Sequence, residues 1–334
     1  GPFKMTEWKR DEYMTLAPNE HWHGYTDAQP GLDKLNVKML KNQATAIAAY
    51  ETGELDIIEV PSGDLPRVKN DPVLSQQLIT YAELFTQYML IPVSAKPFDD
   101  VRVRQALRAA IDVDKITGSV WYGYATPVWT EFFRPPYNQC NILRPKYDPE
   151  AAKALLEQAG WVDQDGDGVR ECHGCGTAQD GQEFKFELIT YSEYGEPLIL
   201  TQQLIGEMLK AVGIQAELSQ MQGSVLWADS ASGGIEQNGE FDLDLYDDGY
   251  AGNDPTDFLW QYYHSASAEP DAGWNIGRWQ NAKFDELLET AYSLDETARQ
   301  AAFCQMAQIL DAELPQILLF STLNADAYST RLGG

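Results

Sequence analysis

The sequence predicts an α/β fold, on three observations. Period-2 alternation of apolar and polar residues recurs at 35–39, 184–191 and 241–246, the mark of half-buried strands. Amphipathic helical patterns at 101–111, 198–212, 284–292 and 296–314 lie among these strands. Gly and Pro punctuate the joins. Strands alternating with helices define the class.

In order, Leu35, Val37 and Met39 alternate as a strand, 44–51 reads as a helix, and Gly53 sits where a left-handed cap is needed. Residues 55–60 form a short apolar strand closed by Pro61, so this stretch reads as a βαβ unit. Residues 84–93 are a further strand. Asp99 and Asp100 then open a helix with Val103, Ala106, Leu107, Ala110 and Ile111 on one face and Arg102, Arg104 and Arg108 around the others. Residues 113–147, rich in aromatics and Pro, read as a long loop with short elements. Asp148 and Pro149 start a helix as cap and first residue, and Gly160 stops it. Residues 214–218 form a strand, 222–240 a Gly- and Ser-rich loop, and 317–320 a buried closing strand. Ser293 and Glu296 have capping-box spacing for the last helix.

The 334 residues suit two domains or one lobed protein, and a hydrophobic fraction of 44% can bury a core. The net charge of −27 excludes nucleic acid and an anionic membrane surface as partners. Spread along the chain, it reads as a solvated acidic surface, with a cation-attracting cleft as the sharper alternative. No stretch approaches the roughly 18 apolar residues of a membrane span. No signal peptide is present, but the chain starts Gly1-Pro2-Phe3 and not with Met. It therefore reads as processed, trimmed or incomplete, and the compartment stays open.

Four cysteines, Cys140, Cys172, Cys175 and Cys304, allow three pairings. The single C-x-x-C at Cys172 and Cys175 reads as a disulfide staple, a zinc half-site or free thiols. Asp163, Asp165, Asp167 and Gly168 match the first half of a calcium loop. Gly174 stands where its bidentate Glu belongs, and Glu171 is the candidate substitute. An acidic turn held by Asx-type hydrogen bonds is the plain alternative to structural calcium. His21 and His23 can chelate a metal on a strand, but read better as surface residues.

Serine-hydrolase, zinc-protease and nucleotide-binding motifs are absent. The most informative segment is 246–264, with Tyr246, Asp247, Asp248, Tyr250, Asn253, Asp254 and Trp260, followed by Trp274, Asn275 and Arg278. It follows a strand, where α/β proteins bind ligands. Aromatics give flat contact area, and carboxylates accept hydroxyl or ammonium hydrogen bonds. Alternatively, these aromatics fill a core beneath a long loop.

Several ordered blocks resemble one family. Gly1-Pro2-Phe3 with Trp8, Leu16, Asn19 and Trp22 is one, and 44–60 with Gly53, Glu54, Leu55, Asp56 and Ile57 another. The most specific is Lys96-Pro97-Phe98-Asp99-Asp100-Val101-Arg102-Val103-Arg104-Gln105-Ala106-Leu107, then Ala110-Ile111-Asp112. Residues 147–160 and 241–255 complete the set. The chain resembles the peptide/nickel/opine class of ABC-importer solute-binding proteins, the family of the oligopeptide- and dipeptide-binding proteins. The resemblance implies a two-lobed periplasmic-binding-protein-like fold of type II. Family members are longer, so 1–93 is expected as the later part of lobe one, 94–320 as lobe two, and 321–334 as the start of the return into an incomplete lobe one.

The implied function is extracytoplasmic capture of an oligopeptide or oligosaccharide-like solute by a monomer, in the periplasm or lipid-anchored. Lobe closure would deliver the solute to an ABC permease, without catalysis and without a cofactor beyond possible calcium. The rivals are a secreted glycan hydrolase using Asp247 and Asp254, and a sensor or adhesion protein. One departure bears on ligand. Peptide-binding members carry an Asp four residues before the Pro that matches Pro255, to pair with the peptide ammonium; here that residue is Ala251. A buried ammonium without its counter-charge is costly, so free-amino peptides are disfavoured.

Overall fold

The computed structural model describes residues 1–26, 31–82, 85–132, 134–250, 252, 254–293 and 295–332. They form two units, Gly1–Thr80 with Ala325–Gly334, and Tyr81–Asn324. The sequence-based divisions were placed at 93/94 and 320/321.

In the first unit, β1 (Phe3–Lys9), β2 (Tyr13–Pro18) and β3 (Leu35–Lys38) make an antiparallel sheet in that order. Asp11 takes the positive φ of the turn joining β1 to β2. Met5 and Trp8 remain exposed. Helix α1 (Gln43–Glu51) starts where the Asn42 side chain accepts the Thr45 N–H at 2.9 Å. Gly53 follows at φ +79°, open to Gly at little cost. Then come β4 (Ile57–Glu59), α2 (Leu65–Asn70) and β5 (Leu78–Ala82), the last running into the second unit. Ile47, Tyr50, Ile58, Val60, Leu65 and Val68 form the buried interior.

The second unit contains β6 (Phe85–Leu90), α3 (Val101–Ala110), α4 (Val113–Ser119), β7 (Ala125–Pro127), α5 (Pro149–Gln158), β8 (Trp161–Val162) and β9 (Glu171–Cys172). It continues with β10 (Lys185–Tyr191), α6 (Glu196–Lys210), β11 (Gln215–Met221), α7 (Gly223–Leu226), α8 (Ile235–Asn238) and β12 (Leu243–Gly249). Helices α9 (Thr256–Tyr263), α10 (Ala282–Ala291) and α11 (Glu296–Glu313) precede β13 (Gln316–Tyr328).

The sheet runs β11-β10-β12-β6-β13, with β7 also on β13. Strands β11, β10 and β12 are parallel, whereas β6 is antiparallel to both neighbours. Met89, Leu188, Ile189, Leu243, Leu245 and Leu319 are fully buried in it. A second core gathers Leu259, Tyr263, Phe284, Leu288, Phe303 and Met306 from α9, α10 and α11.

Three sequence expectations are corrected. The stretch 35–60 is not a βαβ unit: β3 pairs with β2, while β4 pairs with residues 326–328 of β13. The βαβ unit is β10-α6-β11, whose strands lie in register from Lys185↔Gln215 onward. Residues 222–240 are not a plain loop, since α7 and α8 lie within them. Glu296 does not cap back to Ser293; the Asp295 side chain accepts the Thr297 and Ala298 N–H groups. Arg104 lies off the apolar face of α3, as the sequence implied. It is buried, and its guanidinium donates to the carbonyls of Phe98, Glu313 and Leu314, closing the C-terminal end of α11. The rest of α3 keeps its predicted apolar face, and Asp100 accepts the Arg102 N–H at 2.8 Å. Two disulfides, Cys140–Cys304 and Cys172–Cys175, use all four cysteines, which removes zinc ligation by thiolates.

Candidate functional site

Strand β12 runs through the acidic pair instead of stopping at Tyr246, because β6 pairs with it as far as Gly249↔Phe85. Tyr246 faces Tyr88 across the ladder, and their rings meet edge-on at 5.0 Å; the Trp227 ring lies 5.9 Å from Tyr246. Tyr246 is thereby a core residue. Asp247 pairs with Gln87, and directly opposed residues share a face. The Tyr191 hydroxyl donates to Asp247 at 2.5 Å. Burial pushes the Asp247 carboxyl up, partly offset by Tyr191 and the nearby Gln87 amide. Burial likewise raises Asp248 to about 6, against the Gly249 N–H and the Tyr246 hydroxyl it accepts.

Gln87 is 1% exposed, and neither atom of its amide makes a hydrogen bond of good geometry among the described residues, though it lies near the Asp247 carboxyl that it helps to lower. Such groups are rare inside proteins and call for a physical reason.

The other predicted residues divide. Tyr250 is buried under the Arg134 guanidinium, 4.2 Å from its ring, and donates to the Glu131 carbonyl. Asp254 accepts the Thr256 N–H and hydroxyl and pairs with Arg299 at 2.7 Å. Burial raises its carboxyl, but these partners outweigh burial and hold it below the ordinary range. Asn275 donates to the His264 and Trp279 carbonyls and accepts the Trp279 N–H. Arg278 donates to the carbonyls of Ala268 and Gln237. Asp254, Asn275 and Arg278 therefore hold the protein's own loops. Trp260 and Trp274 are half-buried, Trp260 stacking on His264. Asn253 and Ala251 lie outside the described residues.

Sequence reasoning missed Gln87, Tyr191 and three buried acids. Glu236 and Asp244 are fully buried; burial, then the neighbouring Asp244, pushes the Glu236 carboxyl well up, and burial raises Asp244 to about 6. The Trp227 indole donates to Glu236 at 3.1 Å. Burial raises Glu131 to about 7. Two hollows of about 480 and 400 Å³ flank Pro127, Val128 and Trp129, and neither is lined by a residue of the predicted cluster. Asp163, Asp165 and Asp167 are exposed and Glu171 is buried, and each of the four offers an oxygen within 4.8 Å of the others.

The described residues thus place a polar, partly unsatisfied strand end in a mixed α/β sheet. Residues 1–270 match the model of the bacterial extracellular solute-binding proteins, family 5 (middle part). The chain belongs to that family. Oligopeptide-binding protein AppA of Bacillus subtilis is 26% identical over 342 residues, covering 100% of this chain and 58% of AppA. Heme-binding protein A of Haemophilus influenzae is 28% identical, with 93% of this chain and 52% of that protein covered. The crystal structure of Bacillus subtilis AppA with a nonapeptide superposes with a TM-score of 0.79 at 26% identity, covering 100% of this chain and 63% of that one. The chain thus spans little more than half the length of these curated relatives. Family membership places it outside the cytoplasm, and its two disulfides agree with an oxidising compartment.

Proposed function

We propose that this chain is the larger part of a monomeric solute-binding protein that captures a small solute without turning it over and passes it to an ABC-importer permease. Residues 81–324 then supply lobe two, and the first unit belongs to lobe one. The solute rests against the end of β12 and its neighbours, with Asp247, Asp248, Tyr191 and Gln87 as polar contacts and Trp260 and Trp274 as flat ones. The buried Gln87 amide opposite Asp247 carries this reading, because a ligand donor and acceptor would satisfy it. Relatives are named for oligopeptides and for heme, so membership alone fixes no ligand class. Ala251, where peptide binders hold an Asp, favours hydroxyl-rich solutes such as oligosaccharides over peptides with a free amino terminus. Capture needs no cofactor; a structural calcium ion in the Asp163 to Glu171 loop is the one inorganic group we add.

The test is a thermal-shift and calorimetric screen of oligosaccharides against free-amino and N-acetylated peptides, on the full-length protein. A saturable ligand whose affinity falls at least tenfold in Gln87→Ala and Asp247→Ala supports the site. Unchanged affinity in both variants sinks the site. Tight binding of free-amino peptides sinks the ligand preference.

A further inference from the structure

Between β8 and β9 the chain reads Asp163-Gln164-Asp165-Gly166-Asp167-Gly168-Val169-Arg170-Glu171. Carboxylate oxygens of Asp163, Asp165, Asp167 and Glu171 lie within 4.8 Å of one another. Like charges this close repel unless a cation sits among them. The loop's own cation turns elsewhere: Arg170 donates to the carbonyls of Val212 and Trp161. Lys185, within electrostatic range of Asp167, is paired with Glu183. The loop carboxylates do accept backbone N–H groups, such as Gly166 and Gly168 onto Asp163, and that alone explains a turn.

Glu171 is the observation a turn does not explain. It is 8% exposed, and its Oε1 is buried without a hydrogen-bond partner among the described residues. Its Oε2 accepts the Gln164 N–H at 3.0 Å. The Nε2 atom of His173, 3.8 Å from that Oε2, is likewise buried and makes no hydrogen bond among the described residues. Glu171 thus brings a buried, incompletely satisfied carboxyl into the group it forms with the three aspartates, and a hard cation bound among the four would compensate its burial.

What fixes Glu171 there is its strand. Val162 pairs with Glu171 and Trp161 with Cys172. Cys172 is joined to Cys175, which packs on Gly160 so closely that a Cβ on Gly160 would come within 2.6 Å of the Cys175 Cα. The disulfide therefore clamps the segment that carries the fourth carboxylate.

We propose that this loop binds one calcium ion through Asp163, Asp165, Asp167 and Glu171, and that the Cys172–Cys175 disulfide holds Glu171 in position for it. The all-oxygen donor set suits calcium, whose coordination is flexible, over magnesium, which demands a tight octahedron. The site shares no residue with the proposed solute contacts, so either proposal can fail alone.

The experiment uses the whole chain, stripped with a chelator and dialysed. Calcium binding is followed by calorimetry, and terbium binding by luminescence sensitised through Trp161, two residues before Asp163. One site is expected, with a Kd between about 10⁻⁵ and 10⁻³ M. Glu171→Gln and Asp165→Asn each weaken it at least tenfold, while Glu289→Gln on the exposed face of α10 leaves it unchanged. The double variant Cys172→Ser/Cys175→Ser weakens it at least threefold, whereas Cys140→Ser/Cys304→Ser does not. No saturable binding by the unmodified chain up to about 5 mM calcium, or magnesium binding as tightly, overturns the calcium site. Equal calcium affinity in both cysteine double variants overturns the role of the disulfide.

Discussion

Glu131 should make stability depend on pH in a way one substitution removes. Its carboxyl is fully buried, and the Tyr263 hydroxyl lies 2.5 Å from Glu131 Oε1 and 2.9 Å from Gln316 Oε1. One hydroxyl proton cannot serve both. With Glu131 protonated, the carboxyl donates to Tyr263 and Tyr263 donates to Gln316, and the chain is satisfied. This agrees with burial raising the Glu131 pKa from 4.5 to about 7. A raised folded-state pKa means that the stabilisation is complete below about 4.5 and is lost as pH rises through about 7. At roughly 1.4 kcal/mol per pH unit, the full effect is on the order of 3 kcal/mol, most of it falling between pH 5 and pH 8. Glu131→Gln keeps the shape and supplies a permanent donor. Urea unfolding of both proteins at about pH 5, 6, 7 and 8 should show the variant gaining on the wild type by roughly 2–3 kcal/mol across that range. Other buried acids such as Glu236 and Asp244 are common to both and cancel. Parallel stability curves would refute the protonated, buried Glu131.

Three further outcomes follow from the fold. Cys140→Ser/Cys304→Ser opens a loop with a sequence separation of 164, and should cost about 5 kcal/mol by loop-closure entropy, read as a lower urea midpoint. Arg104→Ala leaves the carbonyls of Phe98, Glu313 and Leu314 without their buried donor; a loss of about 3 kcal/mol is expected, with hydrogen exchange rising first at the end of α11. Gly160→Ala drives a Cβ into the Cys175 backbone at φ +88°, and should cost about 3 kcal/mol, seen as a lower melting temperature that Gly166→Ala, with open space at its Cβ, approaches far less closely.

Periodicity located α3, α5, α6, α10 and α11 because each buries one stripe of a surface helix, and Asp100 and Asp148 announced two of their starts. It failed where burial is two-sided. At 242–245, Leu243 and Leu245 alternate with Asp242 and Asp244, which reads as one wet face; yet β12 lies between β10 and β6, and Asp244 is buried. A local pattern cannot report which strands will flank it. The same blindness hid Glu131, which sits in an aromatic stretch without a period, and Gln87, whose incompletely bonded amide is visible only once β6 is paired. The segment from Tyr246 to Arg278 was legible as special. Which of its residues face a solute and which, like Asp254, Asn275 and Arg278, tie down carbonyls and helix starts depended on partners far away in sequence.

The position of β6 sets the order of folding. Its ladder partners are β12, first reached at Leu243, and β13, first reached at Gln316. The middle of the second sheet therefore stays open until the ribosome has made nearly all of this chain, and closing it brings together residues more than 200 positions apart. Such high contact order makes folding slow and late.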